Sequence, residues 1–483
     1  MSPFEKSLII ASALVVLSVV TSKASSRLGV PALLLFLIIG IGAGAHGFGG
    51  IHLTNYALAQ ELGTIALTFI LFSGGMDTDL KAVRPVLKPA LILSTLGVLV
   101  AAFCVGIFAR AALGFSLLEG TLLGATVAST DVAAVFSVLR SKNVTLNAGL
   151  GPLLELESAL NDPMAVFLSV VLLGVIRSDG HSVLSLVPLF FQQIAVGALI
   201  GWISGKCIVP LINRLKLEYE GLYPVLSLAW IVLTYGIAQV SGGSGFLAVY
   251  ITGIIAGNAN LLFRKSLIHF HEGAAWLGQI GMFLAMGLLV DPSALLAVAP
   301  LGIALSLFLV LVARPASVLA SLVGSRFNLR EKLMVSWAGL RGAVPIILAS
   351  YVLAAHIPRG NEIFNLVFFV TFVSVLLQGT TTPAVSKWLK VHLPFRKKHR
   401  FPIEFNPTQS VRNKLIEIAV PPGAASIGKA LVELHLPQDV LIVLIQRDTD
   451  IVVPRGDTHL NEQDTLLVLS ENESAEDIKK LFL

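Results

Sequence analysis

Charge is what this chain has least of: Asp, Glu, Lys and Arg make up 13% of it, against 55% hydrophobic residues. A soluble protein carries about 25% charged residues, so a soluble globule is excluded, and the mean hydropathy of +0.84 agrees. There are two cysteines, Cys104 and Cys207, both inside apolar runs, where packing residues are expected rather than a disulfide framework. No Cys/His metal-ligand spacing, nucleophile elbow, Gly-rich phosphate loop or Thr-Val-Gly-Tyr-Gly-like carbonyl filter occurs in the 483 residues. The reading is an integral membrane protein with no enzymatic constellation and no cofactor. The net charge of +5 resides in loops and asks for no nucleic-acid partner.

What is present is a series of apolar segments, each near the roughly 20 residues that span a bilayer. Thirteen are counted: 7–22, 30–46, 62–76, 89–113, 118–139, 150–176, 186–212, 222–240, 244–260, 274–290, 295–322, 333–355 and 364–386. Loops after odd segments are basic (Lys23/Arg27, Lys81/Arg84, Arg140/Lys142, Arg214/Lys216, Arg264/Lys265, Arg326/Arg330/Lys332, Arg396/Lys397/Lys398), whereas those after even segments hold Arg110, Arg177 and Arg359. The positive-inside rule then predicts an N-terminus outside and a C-terminus in the cytoplasm of the inner membrane. A cleaved signal peptide over residues 1–22 competes for the first segment, but Lys23 and Arg27 outweigh Lys6 and favour a span.

Segments 2 and 9 repeat at an offset of 213: Gly29, Leu34, Ile38, Gly40, Ile41, Ala43 and Gly44 recur as Gly242, Leu247, Ile251, Gly253, Ile254, Ala256 and Gly257. Segments 3 and 10 continue it, with Leu62-Gly63, Phe69 and Asp77 against Leu277-Gly278, Phe283 and Asp291. An odd shift of seven segments predicts two halves, segments 1–6 and 8–13, of opposite orientation, the architecture of secondary transporters. Segment 5 carries Ser129-Thr130-Asp131 and its counterpart, segment 12, carries Gly339-Leu340-Arg341-Gly342-Ala343-Val344-Pro345. Both should break their helices, since unpaired backbone is tolerated at membrane depth only where protein or a cavity satisfies it. The fold class expected is all-α and polytopic, with 13 transmembrane helices, inverted repeats and two broken crossing helices.

Glu157-Ser158-Ala159-Leu160-Asn161-Asp162-Pro163 places two carboxylates, a hydroxyl and an amide inside segment 6. At helical spacing, 157, 158, 161 and 162 share one face, and ionisable groups at this depth mark an ion or proton path. A site for an alkali cation needs hard oxygens and a negative charge. Asp162, Asp131, the Ser158 hydroxyl and backbone carbonyls near Thr130 supply them. Burial favours the neutral form of a carboxylate, so proton and cation compete for one acid, and alternating access then gives antiport. Asn161 cannot titrate, which favours one proton per monovalent cation and an electroneutral cycle. Glu157 needs a counter-charge, and Arg341 is the intramembrane cation assigned to it; a structural role is given to Arg314. As simpler readings, Asp131 serves as a helix cap, Ser158 and Thr130 as packing hydroxyls, and Asp77, Asp79, His269 and His271 as solvated groups at loop ends.

Taken together, Ser129-Thr130-Asp131, Glu157-Ser158-x-x-Asn161-Asp162 and Gly339-Leu340-Arg341-Gly342-Ala343-Val344-Pro345 resemble the NhaP branch of the monovalent cation/proton antiporters, in the sodium/hydrogen exchanger family, over about residues 7–390. The resemblance implies a homodimer of 13-helix protomers, each with a dimerisation domain and a mobile core working as an elevator. It implies Asp162 as the cation and proton site, assisted by Asp131, Ser158 and the Thr130 backbone. It also implies Asn161 as the mark of the electroneutral branch, and a Glu157–Arg341 pair.

The membrane domain is expected over 1–392, a linker over 393–404 and a small cytoplasmic α/β domain over 405–483. In the last, β-like runs (Leu415–Val420, Val440–Gln446, Asp450–Val453, Thr465–Leu469) alternate with helical stretches around Ile427–Leu434 and Ser474–Phe482. The pattern Gly428-Lys429-x-Leu431-x-Glu433-Leu434, Arg447, Pro454-x-Gly456-Asp457 and Gln463-Asp464 resembles the TrkA-C (RCK-C) lobe of potassium-transport regulators. That resemblance implies control by a small ligand, with a nucleotide as one candidate, and tilts the cargo toward potassium. Sodium/proton antiport at the same site is the nearest alternative; a regulated potassium channel and a transporter-like sensor are the others.

Overall fold

A computed structural model of the chain describes residues 2–394 and 414–470, except 29–30, 46, 52–55, 143, 148, 178–185, 216, 343, 422, 425, 438–439, 448–449 and 463. Gly29, Lys216, Ala343, Gln463, the basic run Arg396/Lys397/Lys398 and the Ser474–Phe482 stretch therefore lie outside the described residues. Two compact units divide the chain, Met1–Phe395 and Arg396–Leu483.

The first unit is helical: α1 Pro3–Leu28, α2 Ala32–Ala43, α3 Tyr56–Asp77, α4 Leu80–Val83, α5 Leu87–Leu113, α6 Leu117–Thr126, α7 Val132–Ser141, α8 Leu150–Arg177 and α9 Leu186–Arg214. It continues with α10 Leu222–Val240, α11 Gly245–Gly257, α12 Arg264–Leu289, α13 Pro292–Ala297, α14 Ala299–Phe308, α15 Arg314–Ser321, α16 Leu329–Trp337, α17 Val344–Ala354 and α18 Gly360–Trp388. Among the described residues, eight helices are long and apolar enough to cross a membrane, and four more apolar helices, Leu8–Lys23, Ala32–Ala43, Gly245–Gly257 and Val344–Ala354, are shorter. A π-type widening over Leu309–Ala313 joins α14 to α15 and delivers Arg314 into the interior. A short antiparallel pair, β1 (Val144–Leu146) with β2 (His392–Pro394), ties the α7–α8 connection to the end of α18.

Small residues set the helix packing, as they do where lipid supplies no hydrophobic drive between helices. On α2 and α12, a Cβ on Gly40 would lie 2.9 Å from the Gly287 Cα, and one on Gly287 would lie 2.7 Å from the Gly40 Cα. On α3 and α11 the same holds for Gly75 and Gly253, at 3.1 and 3.2 Å. Either contact closes only without a side chain.

The sequence reading needs correction at several points. Segment 11 is one span, Ala299–Ser321, widened at Leu309–Ala313, and the short α13 precedes it. His271 is not solvated: it is wholly buried, its Nε2 2.7 Å from the Ser227 Oγ and its ring edge-on to Phe72. The amphipathic start of α12 carries it inward, whereas His269 stays exposed. Asp79 is exposed and caps α4 through the Lys81 amide.

The second unit is a four-stranded antiparallel sheet in the order β3 (Lys414–Ala419), β6 (Thr465–Ser470), β4 (Val440–Arg447), β5 (Asp450–Val452). Alternate residues of its central strands, among them Ile442, Ile445, Leu466 and Val468, face one buried core. Asp464 holds the Arg447 fork at 3.0 and 2.9 Å and accepts the Asn461 amide. The helical stretch expected around Ile427–Leu434 reduces to one 3-10 turn, Leu431–Leu434, bounded by the left-handed Gly428 and His435.

Candidate functional site: two interrupted helices against α8

Helix α6 stops at Thr126 and α7 begins at Val132; α16 stops at Trp337 and α17 begins at Val344. The extended stretches between them meet, the Asp131 amide donating to the Leu340 carbonyl at 2.7 Å. Backbone groups that helix formation leaves unpaired cost several kcal/mol each in an apolar surrounding, and each stretch finds partners outside its own helix. The Arg341 guanidinium donates to the carbonyls of Ala128 and Ser129, the latter at 2.9 Å. Its own amide donates to the Ser374 Oγ at 2.9 Å, which donates to Gln378, whose amide donates to the Trp337 carbonyl at 2.8 Å. Helix α18 thus braces the second interruption from behind.

The third wall is α8, and it presents its polar groups on two adjacent faces rather than one. Glu155, Ser158, Ala159 and Asp162, at spacings of three, four and seven, line a cavity of about 180 Å³ together with Ser129, Thr130, Asp131 and Gly342. Pro163 has no N–H to give the Ala159 carbonyl, so the helix ladder is open on that side. The Ser129 hydroxyl donates to Asp162, and the Ser158 hydroxyl donates to the Thr130 carbonyl at 2.6 Å while accepting the Val132 amide at 3.3 Å. Asp131 caps α7 by accepting the Ala134 amide at 3.0 Å. That cap orients the carboxylate on the cavity wall, so the cap and the wall group are one side chain.

On the neighbouring face, Asn161 is a latch. Its Nδ2 donates to the Thr130 Oγ1 at 2.7 Å and to Glu157 at 3.3 Å, and its Oδ1 accepts the Thr130 amide at 3.3 Å. Two donors and an acceptor are used at once, which a carboxylate in that place could not supply.

One pairing differs from the sequence reading. The Glu157 ion pair is made with Arg314, not Arg341: the Arg314 Nη2 lies 2.7 Å from Oε1 and 2.9 Å from Oε2, with both residues buried. Arg341 is instead engaged by the carbonyls of Ala128 and Ser129, which helix interruption leaves open. Arg314 had been given only a structural place in the fold, since sequence spacing does not reveal which arginine the π-type turn swings inward.

The structure therefore brings Asp162, Asp131, Ser158 and Thr130 to one cavity, with Asn161 and Glu157 behind it and Arg341 across the interruption. Glu155, Asp77 and Tyr250 also line it and were not singled out for it; the spacing of 155 to 162, two helical turns, was a signal for the first. The donor set is carboxylate, hydroxyl and carbonyl oxygen, suited to a hard cation. Among the described residues no group of three or more His, Cys, Asp or Glu could hold a metal ion.

Residues 12–388 match the model of the sodium/hydrogen exchanger transmembrane family, and residues 415–483 match the TrkA-C domain. The chain is 37% identical over 482 residues to a K(+)/H(+) antiporter NhaP of Alkalimonas amylolytica, covering 99% of this chain and 83% of the relative. It is 39% identical over 479 residues to the K(+)/H(+) antiporter NhaP2 of Shewanella sp. strain ANA-3, covering 98% and 83%. A solved structure of the sodium proton antiporter MjNhaP1 from Methanocaldococcus jannaschii superposes with a TM-score of 0.70 at 23% identity, covering 80% of this chain and 99% of that one, a likeness of fold. The family match over the helical unit, together with near full-length relatives above 30% identity, makes this chain a member of the sodium/hydrogen exchanger family with a C-terminal TrkA-C domain.

Proposed function

We propose that this protein is a secondary antiporter that exchanges potassium for protons, one for one, across the inner membrane, with Asp162 as the acid both ions share. The observation that carries the reading is the cavity itself: Asp162, Asp131, Ser158 and Thr130 meet where two interrupted helices cross α8. Charge supports the stoichiometry. Glu157 and Arg314 neutralise one another, so that pair adds nothing to the count, and Asp162 as the one exchanging acid is balanced by one proton or one monovalent cation. Asn161 adds no titrating group. Potassium is preferred over sodium because relatives similar over nearly the whole chain, C-terminal unit included, are named K(+)/H(+) antiporters. Sodium is the second reading, favoured by the Na(+)/H(+) antiporter 1 of Methanocaldococcus jannaschii, 29% identical over 353 residues.

The same reading carries 13 spans, an outside N-terminus, a homodimer and elevator-type motion of the α8-bearing core. Two glycine contacts support inverted repeats: α2 meets α12 at Gly40 and Gly287 and α3 meets α11 at Gly75 and Gly253, so the helix pairs that correspond in the two halves are each joined through close glycine contact. The TrkA-C unit is read as a ligand-responsive regulator, with a nucleotide as one candidate ligand.

Proteoliposomes with an internal pH dye test the function directly. Added potassium should move protons at the same initial rate whether the membrane voltage is clamped or free, and sodium should move fewer. Conductive potassium flux without proton movement sinks the antiporter. Deleting residues 405–483 should leave exchange but change its pH or ligand dependence; an unchanged profile removes the regulator. Gly342→Ala is a sharper probe of the crossing. A Cβ there would fall 2.5 Å from the Asp131 Cβ and Oδ2, so the carboxylate must move, and exchange should fall several-fold while the protein still elutes as a folded species. Wild-type rates in Gly342→Ala would mean that Asp131's position is not critical.

A further inference from the structure

Helix α8 has a second cavity on its other side. Leu156, Leu160, Pro163 and Phe167 of α8, with Leu87 and Leu91 of α5, form one wall; residues of α9 and α11 form the other. Its volume is about 280 Å³, larger than that of the cavity at Asp162. Its hydroxyls are spent on the protein: Ser94 and Thr95 donate to the Leu91 carbonyl at 3.2 and 2.7 Å, Ser244 accepts the Leu247 amide, and the Tyr250 OH lies 3.3 Å from the Thr78 Oγ1. The Gln193 amide is the other polar side chain on these walls. A buried water needs two to four polar partners and leaves apolar cavities dry, so one amide does not hold a water cluster. Unfilled space of this size forfeits dispersion contacts along every wall.

We infer that the crevice between α5/α8 and α9/α11 is a binding site for one acyl chain of a bilayer phospholipid. The mouth argues for that occupant: Leu87, Leu91 and Ile194 on its rim are 45%, 44% and 37% exposed on helices apolar enough to span the membrane, so the crevice opens to hydrocarbon. Size agrees. A methylene takes about the volume of a water, roughly 30 Å³, so the cavity takes on the order of ten, a large part of one chain. The chain would lie against Leu160 and Pro163, on a different face of α8 from the cation cavity, with Tyr250 as a wall common to both. A seated chain fills the seam between the helix that carries Asp162 and the pair α9/α11. Its bearing on transport rests on the proposed exchange, but its presence does not.

Phe167→Trp puts a reporter in the crevice, in contact with Phe190 at 4.8 Å between ring centroids. The protein is reconstituted in phosphatidylcholine brominated at mid-chain and in the unbrominated lipid, with the parent protein as background for its five native tryptophans. Strong quenching of the new tryptophan is expected, and adding Ala198→Phe, which fills the crevice from α9, should remove most of it. Two results overturn the site: no quenching, or quenching that persists undiminished in both the Ala198→Phe and Leu160→Phe backgrounds, which places the lipid at the outer surface only. Phe190→Trp serves as reporter if Phe167→Trp does not fold. Because the readout is fluorescence, an acyl-chain site can be found in a protein that fails to exchange potassium, and an active exchanger can fail to show it.

Discussion

Asp162→Asn is expected to reduce cation-dependent proton movement to the level of empty liposomes while leaving the protein folded. Asparagine keeps the shape of the side chain and can still accept the Ser129 hydroxyl, so the contact to the interrupted helix survives. What it loses is the charge that draws a cation and the oxygen that takes a proton. Asp131 is held as the cap of α7 and Ser158 is committed to the Thr130 carbonyl. The measurement is the initial rate of dye response to potassium and to sodium, with a melting curve as the check on folding. Residual exchange above background at either cation would move the shared acid elsewhere, with Asp131 or Glu155 next in line.

The second large effect concerns stability. Glu157→Gln leaves the buried Arg314 guanidinium without a counter-charge: the glutamine Oε1 can still accept one N–H and the Val335 carbonyl lies at 3.5 Å, but neither carries a negative charge. Removing one partner of a buried pair costs about 3–5 kcal/mol, whereas replacing both by apolar groups is often neutral. Glu157→Gln is therefore expected to lower the midpoint of thermal denaturation in detergent steeply, and Glu157→Gln with Arg314→Met to recover most of the loss. Arg341→Met in place of Arg314→Met should not rescue, because Arg341 holds backbone carbonyls rather than Glu157. Rescue by Arg341→Met and not by Arg314→Met would reverse the assignment.

Much of this was legible in the sequence because the signals are local. The interruption at Ser129-Thr130-Asp131 stands out as polar residues in an apolar run, and its partner as Gly and Pro in another; the structure breaks both helices there. The strands of the C-terminal unit were marked by β-branched runs between turn residues, and each appears within a residue or two of its expected ends. What failed was pairing over distance. Glu157 and Arg314 are 157 positions apart on helices whose relative rotation no spacing encodes. His271 was misplaced for the same reason: its depth depends on Ser227 and Phe72, on two other helices. The two-face division of α8 turns on about 100° of rotation, finer than the shared face the spacing implied.

Arg341 also has a bearing on how the chain is made. The carbonyls of Ala128 and Ser129 leave the ribosome more than 200 residues before the guanidinium that receives them, and Asp131 precedes Leu340 by nearly as much. Helix α8 already supplies partners for the Ser129 hydroxyl and for Thr130. Until α16 and α17 are synthesised, however, the Ala128 and Ser129 carbonyls lack the guanidinium that receives them, at a depth where open carbonyls are poorly tolerated. The first half of the chain is thus expected to wait in the insertion machinery, or near the aqueous interface, and to settle only when the second half arrives. With Ser129→Cys as the one cysteine, in a Cys104→Ala, Cys207→Ala background, truncated nascent chains ending before residue 341 should remain accessible at position 129 to a water-soluble thiol-reactive reagent, and chains extending past α18 should not.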